Sequence, residues 1–415
     1  MNGSRPPRVL LISHAADRTG APRSLLELLG FFCVHTAWDL RVLLIETGPL
    51  APAFAALAPT ELLHPPRTAG GKARSAARSA AWAAGSGHPR RAWKLATGGL
   101  GVPLTPGEQA DRSAHARAAA ARARAWAPDL LYANTAATWP AVRRLLPPQA
   151  AGRLLVHVRE LASTLDRLGG AAELLARADR VLAVSPPVRA LLAGAWGVPA
   201  AKLGEGPVAL HDEAFAAAEP DAAAWPAGVG PRVLMLGSAT RRKGADLFAA
   251  AAAAPGWPAG TRFLWVGDGP EAASLRRAGG RIRWEAARAD PRPLLAAADL
   301  LLLSSRDDPS PRVVPEAAAR GVPAACFAAS GGAAGFVAPP GEPPAGVAVP
   351  AGFDPAELAA AAGGLLGDPP ALAAAGVAAR SRADSVRLGV VGPRIVAEVE
   401  ALLPPVRGRV GGARS

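Results

Sequence analysis

The residues with the clearest chemistry lie in the segment 305–316, Ser-Arg-Asp-Asp-Pro-Ser-Pro-Arg-Val-Val-Pro-Glu. A leucine-rich run precedes it, its middle is a proline-rich loop, and Pro315 suits the first turn of a following helix, where its missing N–H is not needed. Free backbone amides at such a helix start would hold an anion, while Asp308 and Glu316 would accept hydrogen bonds from hydroxyls of a sugar and a ribose. A loop closed by a capping acid, with no ligand, is the alternative.

This segment resembles the signature of family 4 glycosyltransferases with the GT-B fold, in which an acid is followed after seven residues by Glu and then Ala. Asp308 occupies the first acidic position, where the family more often has Glu, and Glu316 occupies the second. The resemblance implies that Asp308 contacts the donor sugar and Glu316 the ribose, and we predict that both are catalytic residues.

Two further segments extend the resemblance upstream. Residues 234–246, Leu-Met-Leu-Gly-Ser-Ala-Thr-Arg-Arg-Lys-Gly-Ala-Asp, are similar to the family's strand, glycine and Lys-Gly pair, in which the lysine neutralises the donor diphosphate; Lys243 holds that position. The family often has Arg after the first glycine, where this chain has Ser238, and a neighbouring arginine would compensate. Residues 263–270, Phe-Leu-Trp-Val-Gly-Asp-Gly-Pro, resemble the next strand and its glycine-rich turn, although an ordinary strand-to-helix turn uses such glycines too.

The donor-binding residues that the resemblance implies all lie in these three segments. They are Gly237, Ser238, Arg242, Lys243, Gly267, Asp268, Ser310, Pro311 and Glu316. A fourth segment, 330–336 (Ser-Gly-Gly-Ala-Ala-Gly-Phe), lies where the family has two glycines before a glutamate, but no glutamate follows here. No side-chain role therefore transfers to it.

The N-terminal half carries a looser resemblance. Residues 13–28 resemble the family's first strand, glycine loop and helix, and backbone amides at Gly20 and Ala21 would approach a phosphate or an acceptor. His157, in Leu-Leu-Val-His-Val-Arg-Glu-Leu, ends a strand and resembles the family's active-site histidine, so we predict a catalytic role for it as well. Any βα turn can use glycine, and a strand histidine can be an ordinary core residue; these structural roles are the alternatives.

Short apolar runs recur along the chain at the spacing of βα units. They predict strands at 8–13, 41–46, 130–134, 153–158, 180–185, 232–238, 262–267, 281–285, 300–305 and 324–327. Because these runs are apolar on both faces, they indicate parallel sheets covered by helices on each side. The fold class is therefore α/β with two doubly wound Rossmann-like domains, and the resemblance implies that they face each other across a cleft (GT-B).

The domain boundaries are predicted from the order of these runs. They are an N-terminal acceptor-side domain over 1–210, a linker over 211–230, a C-terminal donor-nucleotide domain over 231–384, a helix over 385–405 that packs back toward the N-terminal domain, and a disordered tail over 406–415. Ligands of such sheets bind beyond the carboxyl ends of the strands, which is where the motif residues fall.

The 415 residues carry a formal net charge of +13, and most of the excess lies in one segment. Residues 67–124 hold eleven Lys and Arg against two acids, typical either of a solvated basic face or of a surface for an anionic membrane or polyanionic acceptor. No nucleic-acid-binding module accompanies it, so nucleic acid is not expected as a partner. Two distant cysteines, no signal-peptide core and no strongly apolar run of about 20 residues indicate a cytoplasmic protein, at most peripheral at the inner face of the membrane.

The sequence also predicts how the leaving group is stabilised. There is no Asp-x-Asp motif, so the diphosphate charge would be met by Lys243, a helix start and arginines. We therefore expect no metal and no cofactor, with a UDP- or GDP-sugar as donor substrate and a hydroxyl acceptor, a cell-envelope glycan or lipid. The resemblance implies retaining transfer. The alternatives are an epimerase or inverting transferase on the same fold, a non-catalytic nucleotide-sugar-binding protein, and a basic membrane-surface adaptor.

Overall fold

The computed structural model describes residues 5–65, 106–147, 152–273, 276, 281–350 and 352–404. They form two compact units. Within the described ranges, the N-terminal unit contains residues up to 209 together with 388–404, and the C-terminal unit contains 210–387. The basic segment 67–124 lies outside the described residues up to 105, and the predicted tail 406–415 lies outside them entirely.

The N-terminal unit is built on a seven-stranded parallel sheet with the strand order β3-β2-β1-β4-β5-β6-β7. Its strands are β1 Arg8–Ser13, β2 Asp39–Leu44, β3 Thr60–Leu62, β4 Leu130–Ala133, β5 Arg153–Val158, β6 Arg180–Ala183 and β7 Leu203–Glu205. Its helices are α1 Gly20–His35, α2 Ala51–Leu57, α3 Pro106–Ala125, α4 Trp139–Leu145, α5 Ala162–Leu165, α6 Ala171–Arg177, α7 Pro186–Gly194 and, from the chain's C-terminal end, α14 Leu388–Glu400. The central strands are buried on both faces, as a parallel sheet between helix layers requires.

The C-terminal unit repeats this design with a six-stranded parallel sheet in the order β10-β9-β8-β11-β12-β13. Its strands are β8 Arg232–Leu236, β9 Arg262–Val266, β10 Ile282–Glu285, β11 Leu300–Leu303, β12 Ala324–Phe327 and β13 Gly346–Val349. Its helices are α8 Ala245–Ala253, α9 Arg292–Ala297, α10 Val313–Ala318, α11 Ala333–Val337, α12 Pro355–Leu366 and α13 Pro369–Asp384. The core is one cluster of Leu, Val, Phe and Ala side chains around Trp265.

Helix α14 belongs to the N-terminal unit for reasons visible in its sequence. Leu388, Val391, Ile395 and Val399 recur on one face and are buried in the N-terminal core. A Cβ at Gly392 would lie 2.6 Å from the Phe31 ring, so only glycine permits this approach to α1. The predicted helix over 385–405 is observed over Leu388–Glu400, shorter at both ends.

The predicted fold class is confirmed, since both units are doubly wound parallel sheets with helices. Three strands were missed, β3, β7 and β13, and each is an outer strand of its sheet with only three or four residues. Their sequences, Thr-Glu-Leu, Leu-Gly-Glu and Gly-Val-Ala-Val, are too short to show periodicity.

No single helix among the described residues is long and apolar enough to cross a membrane. One bent pair, α12 with α13 at 97°, passes that test by length and composition alone.

Candidate functional site

The strand order of the C-terminal sheet reverses between β8 and β11. In doubly wound sheets the crevice for ligands opens at this point, outside the carboxyl ends of the strands. The segment Gly237–Lys243 follows β8, and the segment Ser304–Asp308 follows β11. Two of the three predicted donor segments therefore meet where the fold itself provides a site.

Lys243 and Asp308 form an ion pair at this point, between Nζ of the lysine and Oδ2 of the aspartate. Their side chains are only 16% and 7% exposed. The hydroxyl of Ser305 donates a second contact to the same carboxylate oxygen, at 3.3 Å. The structure thus joins the predicted phosphate ligand to the predicted sugar ligand.

Backbone contacts fix the loops that carry this pair. Gly244 has φ +69°, and a Cβ there would stand 1.8 Å from the carbonyl oxygen of Ser304, so only glycine lets the two loops touch. The Ser304 hydroxyl donates to the carbonyl of Lys243 at 3.2 Å. On its other side, Asp308 donates its N–H to the Ser330 carbonyl at 2.7 Å and accepts from the Gly332 N–H at 3.1 Å.

Arginines surround the pair. The Arg242 guanidinium is exposed and donates to the carbonyl of Asp307 at 2.7 Å. Arg306 makes two hydrogen bonds, of 2.6 and 2.8 Å, to Asp246 in the first turn of α8. Although burial acts to raise it, these hydrogen bonds hold the pKa of Asp246 below its usual value. Arg306 is therefore committed to structure, whereas Arg242 lies at the surface of the site.

Glu316 lies on α10, which begins at Val313, three residues earlier than a helix opened by Glu316 would. The Val314 N–H is already bonded to the Pro311 carbonyl at 3.0 Å and Pro315 has no N–H, so the expected free amides at this helix start are few. The Glu316 carboxylate is 3.4 Å from Nε of Arg312, and its side chain is 12% exposed. Of the loop residues, Ser310 is half-buried and Pro311 is buried.

The glycines after β8 and β9 serve the protein's own packing. A Cβ at Gly267 would lie 2.0 Å from the carbonyl oxygen of Gly237, so the two turns are in backbone contact. Ser238 is exposed beside them. Asp268, also exposed, accepts a hydrogen bond from the Ala287 N–H at 3.1 Å, which ties the turn after β9 to the loop after β10. These contacts give the glycines a structural reason, and the donor-binding role of Gly237 and Gly267 stays a prediction.

The N-terminal sheet has the same reversal, between β1 and β4. His14 follows β1, and its Nδ1 is 3.4 Å from the hydroxyl of Thr135, which follows β4. Asn134 donates to the carbonyl of Ala21 at 2.8 Å, which places Gly20 and Ala21, the first turn of α1, at this edge. Burial lowers the pKa of His14, and Asp17 opposes that effect only in part, so His14 is neutral near pH 7.

His157 lies in the interior of the N-terminal unit. It is fully buried, Nε2 lies 2.6 Å from the Gly206 carbonyl oxygen, and Nδ1 lies 2.7 Å from the Tyr132 hydroxyl and 3.1 Å from Nη2 of Arg159. A carbonyl can only accept, so Nε2 carries the proton and Nδ1 accepts. Burial, reinforced by the Arg159 charge, holds the pKa of His157 well below its ordinary value. Both ring nitrogens are thus bonded inside the unit, and the catalytic role of His157 stays a prediction.

Several residues of these sites were not singled out as ligands from the sequence. Ser305 and Ser330 hold Asp308, and His14 and Thr135 meet at the N-terminal reversal. Apart from the resemblance of residues 13–28, which include His14, their sequence signal is a polar residue directly after an apolar run. That signal is weak, because such residues commonly cap the next helix. No group of three or more His, Cys, Asp or Glu that could hold a metal ion occurs in the described part of the chain.

Comparison with known proteins finds one family-model match and several solved structures of similar fold. Residues 230–368 match the family model described as "Glycosyl transferases group 1". No curated protein matches the chain by sequence.

Solved structures match almost the whole chain. HepE from Anabaena, crystallised with UDP and glucose, has a TM-score of 0.67 at 17% identity over 95% of this chain and 100% of its own. Sucrose-phosphate synthase from Thermosynechococcus elongatus scores 0.69 at 20% identity (95% and 99%). WaaG, a glycosyltransferase involved in lipopolysaccharide biosynthesis, scores 0.63 at 16% (94% and 99%). At these identities the likeness establishes the GT-B fold.

Proposed function

We propose that this chain, a group 1 glycosyltransferase by its residues 230–368, is a retaining, metal-independent member of family 4 that moves a sugar from a UDP- or GDP-sugar to a hydroxyl acceptor. The observation that carries the proposal is the Lys243–Asp308 pair at the strand-order reversal of a group 1 domain. A cation for a diphosphate and a carboxylate for sugar hydroxyls are the two groups that a nucleotide-sugar needs there.

Charge supports the metal-independent assignment. The leaving diphosphate develops negative charge as its bond to the sugar breaks, and fixed cations aimed at that charge stabilise the transition state. Lys243 is a largely buried cation of the site, and Arg242 is an exposed cation beside it. Glu316, on the helix after the same loop, would accept the ribose hydroxyls.

The acceptor side is proposed from the N-terminal unit. A neutral His14 beside the Thr135 hydroxyl can accept a hydrogen bond from an incoming hydroxyl without charging. WaaG acts in lipopolysaccharide biosynthesis, so a cell-envelope glycan or lipid is the acceptor class we propose to test first, with the protein working at the cytoplasmic face of the membrane.

In the proposed reaction the bond from the anomeric carbon to the diphosphate oxygen breaks first, leaving an oxocarbenium-like sugar. The acceptor oxygen then bonds to the same face of that carbon, and its proton passes to the departing diphosphate. The product therefore keeps the donor's anomeric configuration.

The test is a calorimetric donor screen in EDTA, starting with UDP-glucose, because HepE was crystallised with that donor. We expect micromolar binding of one donor, weakened about 100-fold by Lys243→Ala and by Glu316→Ala. Lys202→Ala is the matched control and should bind as wild type, because this lysine lies in the N-terminal unit, where its Nζ donates to the Ala176 carbonyl.

Transfer to an acceptor in EDTA, with the product's anomeric configuration read by NMR, then tests the finer claims. An inverted product would reject the retaining assignment, and activity restored only by a divalent ion would reject metal independence. A donor that binds but is never transferred would favour a non-catalytic binding protein. If no donor binds, the site assignment fails.

A further inference from the structure

The carboxylate of Asp308 cannot move far from its place. Its backbone is bonded on both sides, to the Ser330 carbonyl and the Gly332 N–H, and its side chain has only two rotatable bonds. Lys243, by contrast, reaches it through a flexible four-carbon stem. When another anion competes for the Lys243 ammonium group, we therefore expect the ammonium group to move and the Asp308 carboxylate to keep its position.

A bound diphosphate is such a competitor. Its oxygens need Lys243, so part of the lysine's interaction with Asp308 is transferred to the ligand. The Asp308 carboxylate, whose side chain is only 7% exposed, then keeps its hydrogen bond from the Ser305 hydroxyl but has a weaker interaction with Lys243. It also lies next to a second anion, the diphosphate. A buried charge that loses its partner and gains a like-charged neighbour is destabilised.

The nucleotide-sugar and the released nucleoside diphosphate differ in how far they stabilise the Asp308 carboxylate. A nucleotide-sugar offers sugar hydroxyls, which can donate hydrogen bonds to the carboxylate that the lysine has left. A free nucleoside diphosphate offers none there, and its terminal phosphate, with a second pKa of about 6, carries one more negative charge at neutral pH than the same phosphate does in the donor. Repulsion from Asp308 is therefore larger for the nucleotide than for the nucleotide-sugar.

We propose that Asp308, through its ion pair with Lys243, sets the preference of the site for the nucleotide-sugar over the free nucleoside diphosphate. The proposal rests on the proposed function, because it requires a nucleotide-sugar at this site. It assigns Asp308 a role in rejecting product in addition to contacting the sugar. The same charge that makes the nucleotide-sugar the better ligand speeds the departure of the nucleoside diphosphate after transfer.

The experiment measures two dissociation constants by calorimetry at pH 7.5, one for a nucleotide-sugar and one for its free nucleoside diphosphate. The ligands are UDP-glucose and UDP, or a GDP-sugar and GDP if the donor is a GDP-sugar. In Asp308→Asn, which keeps the shape and removes the charge, UDP should bind about tenfold tighter, while UDP-glucose binds no tighter than to wild type. The dissociation constant of UDP divided by that of UDP-glucose should therefore fall about tenfold or more. Asp307→Asn is the matched control, since it removes the same charge one residue away, and should leave the ratio within about twofold.

Asp308→Glu keeps the charge and should keep the wild-type preference. If Asp308→Asn does not fold, Asp308→Ser removes the same charge through a smaller side chain and supplies the comparison. A ratio unchanged in the neutral variants, or weaker UDP binding in them, would overturn the proposal. Failure of wild type to bind any nucleotide-sugar would instead reject the proposed function, so the two failures are distinguishable.

Discussion

The six strands of the C-terminal sheet follow the order of the first six strands of the N-terminal sheet, and both sheets reverse at the same place, but the side chains there differ. The C-terminal reversal holds a largely buried ion pair, Lys243 with Asp308. The N-terminal reversal brings together the neutral side chains of His14 and Thr135, and its nearby cation, Arg159, is hydrogen-bonded to Asn134. A charged ligand needs fixed counter-charge, while a hydroxyl needs only a hydrogen-bond partner. On the proposed function, the two reversals would therefore bind different ligand classes, a diphosphate at the C-terminal one and an acceptor hydroxyl at the N-terminal one.

The largest expected effect comes from a substitution in the loops that carry the C-terminal ion pair. In Gly244→Ala the new Cβ would meet the Ser304 carbonyl in a backbone conformation that favours glycine, so we expect a loss of about 3 kcal/mol in the free energy of unfolding by urea, and loss of donor binding. Gly364→Ala, at an exposed helix position with no atom within 4 Å, should gain up to about 1 kcal/mol. Equal stabilities of the two variants would contradict the close approach of the two loops.

A smaller effect is expected at the N-terminal reversal, on acceptor-dependent transfer. His14→Ala removes a neutral hydrogen-bonding group at the proposed acceptor side, so acceptor-dependent transfer should fall about tenfold or more while the donor's dissociation constant stays within about twofold. His35→Ala, an exposed histidine at the end of α1, is the control and should retain full transfer. Donor binding that falls together with transfer in His14→Ala would argue against the separation of roles.

The smallest effect concerns the interior below the N-terminal reversal. The pKa of His157 is depressed in the folded protein, while an unfolded histidine titrates near 6.5, so below about pH 6.5 the unfolded state binds the extra proton. Stability from neutral His157 is thus present above that pH and is lost as pH falls, by up to about 1.4 kcal/mol per pH unit. His14 and His64, whose pKa values are also lowered (His64 to about 4), add to the wild-type slope.

Urea unfolding between pH 7.5 and 5.5 should therefore show a shallower slope in His157→Gln than in wild type. Tyr132→Phe removes the hydroxyl that Nδ1 accepts from but keeps the histidine, so it should retain the wild-type slope. Identical slopes in wild type and His157→Gln would show that the buried histidine is not held neutral.

The sequence by itself determined the inner strands, the two doubly wound units and the segments that carry the site, because these depend on local apolar runs and on motifs within about a dozen residues. It failed at β3, β7 and β13, outer strands whose place comes from pairing with a neighbour already in the sheet.

Tertiary structure alone decided what the motif residues touch. Lys243 meets Asp308 across 65 positions of the chain because β8 and β11 are neighbours at the reversal of the sheet. His157 is closed off because the carbonyl of Gly206, 49 positions away, accepts its proton, and a Cβ at Gly206 would stand 2.5 Å from Nε2. Both outcomes depend on which strands lie side by side, and no local pattern in the sequence records that.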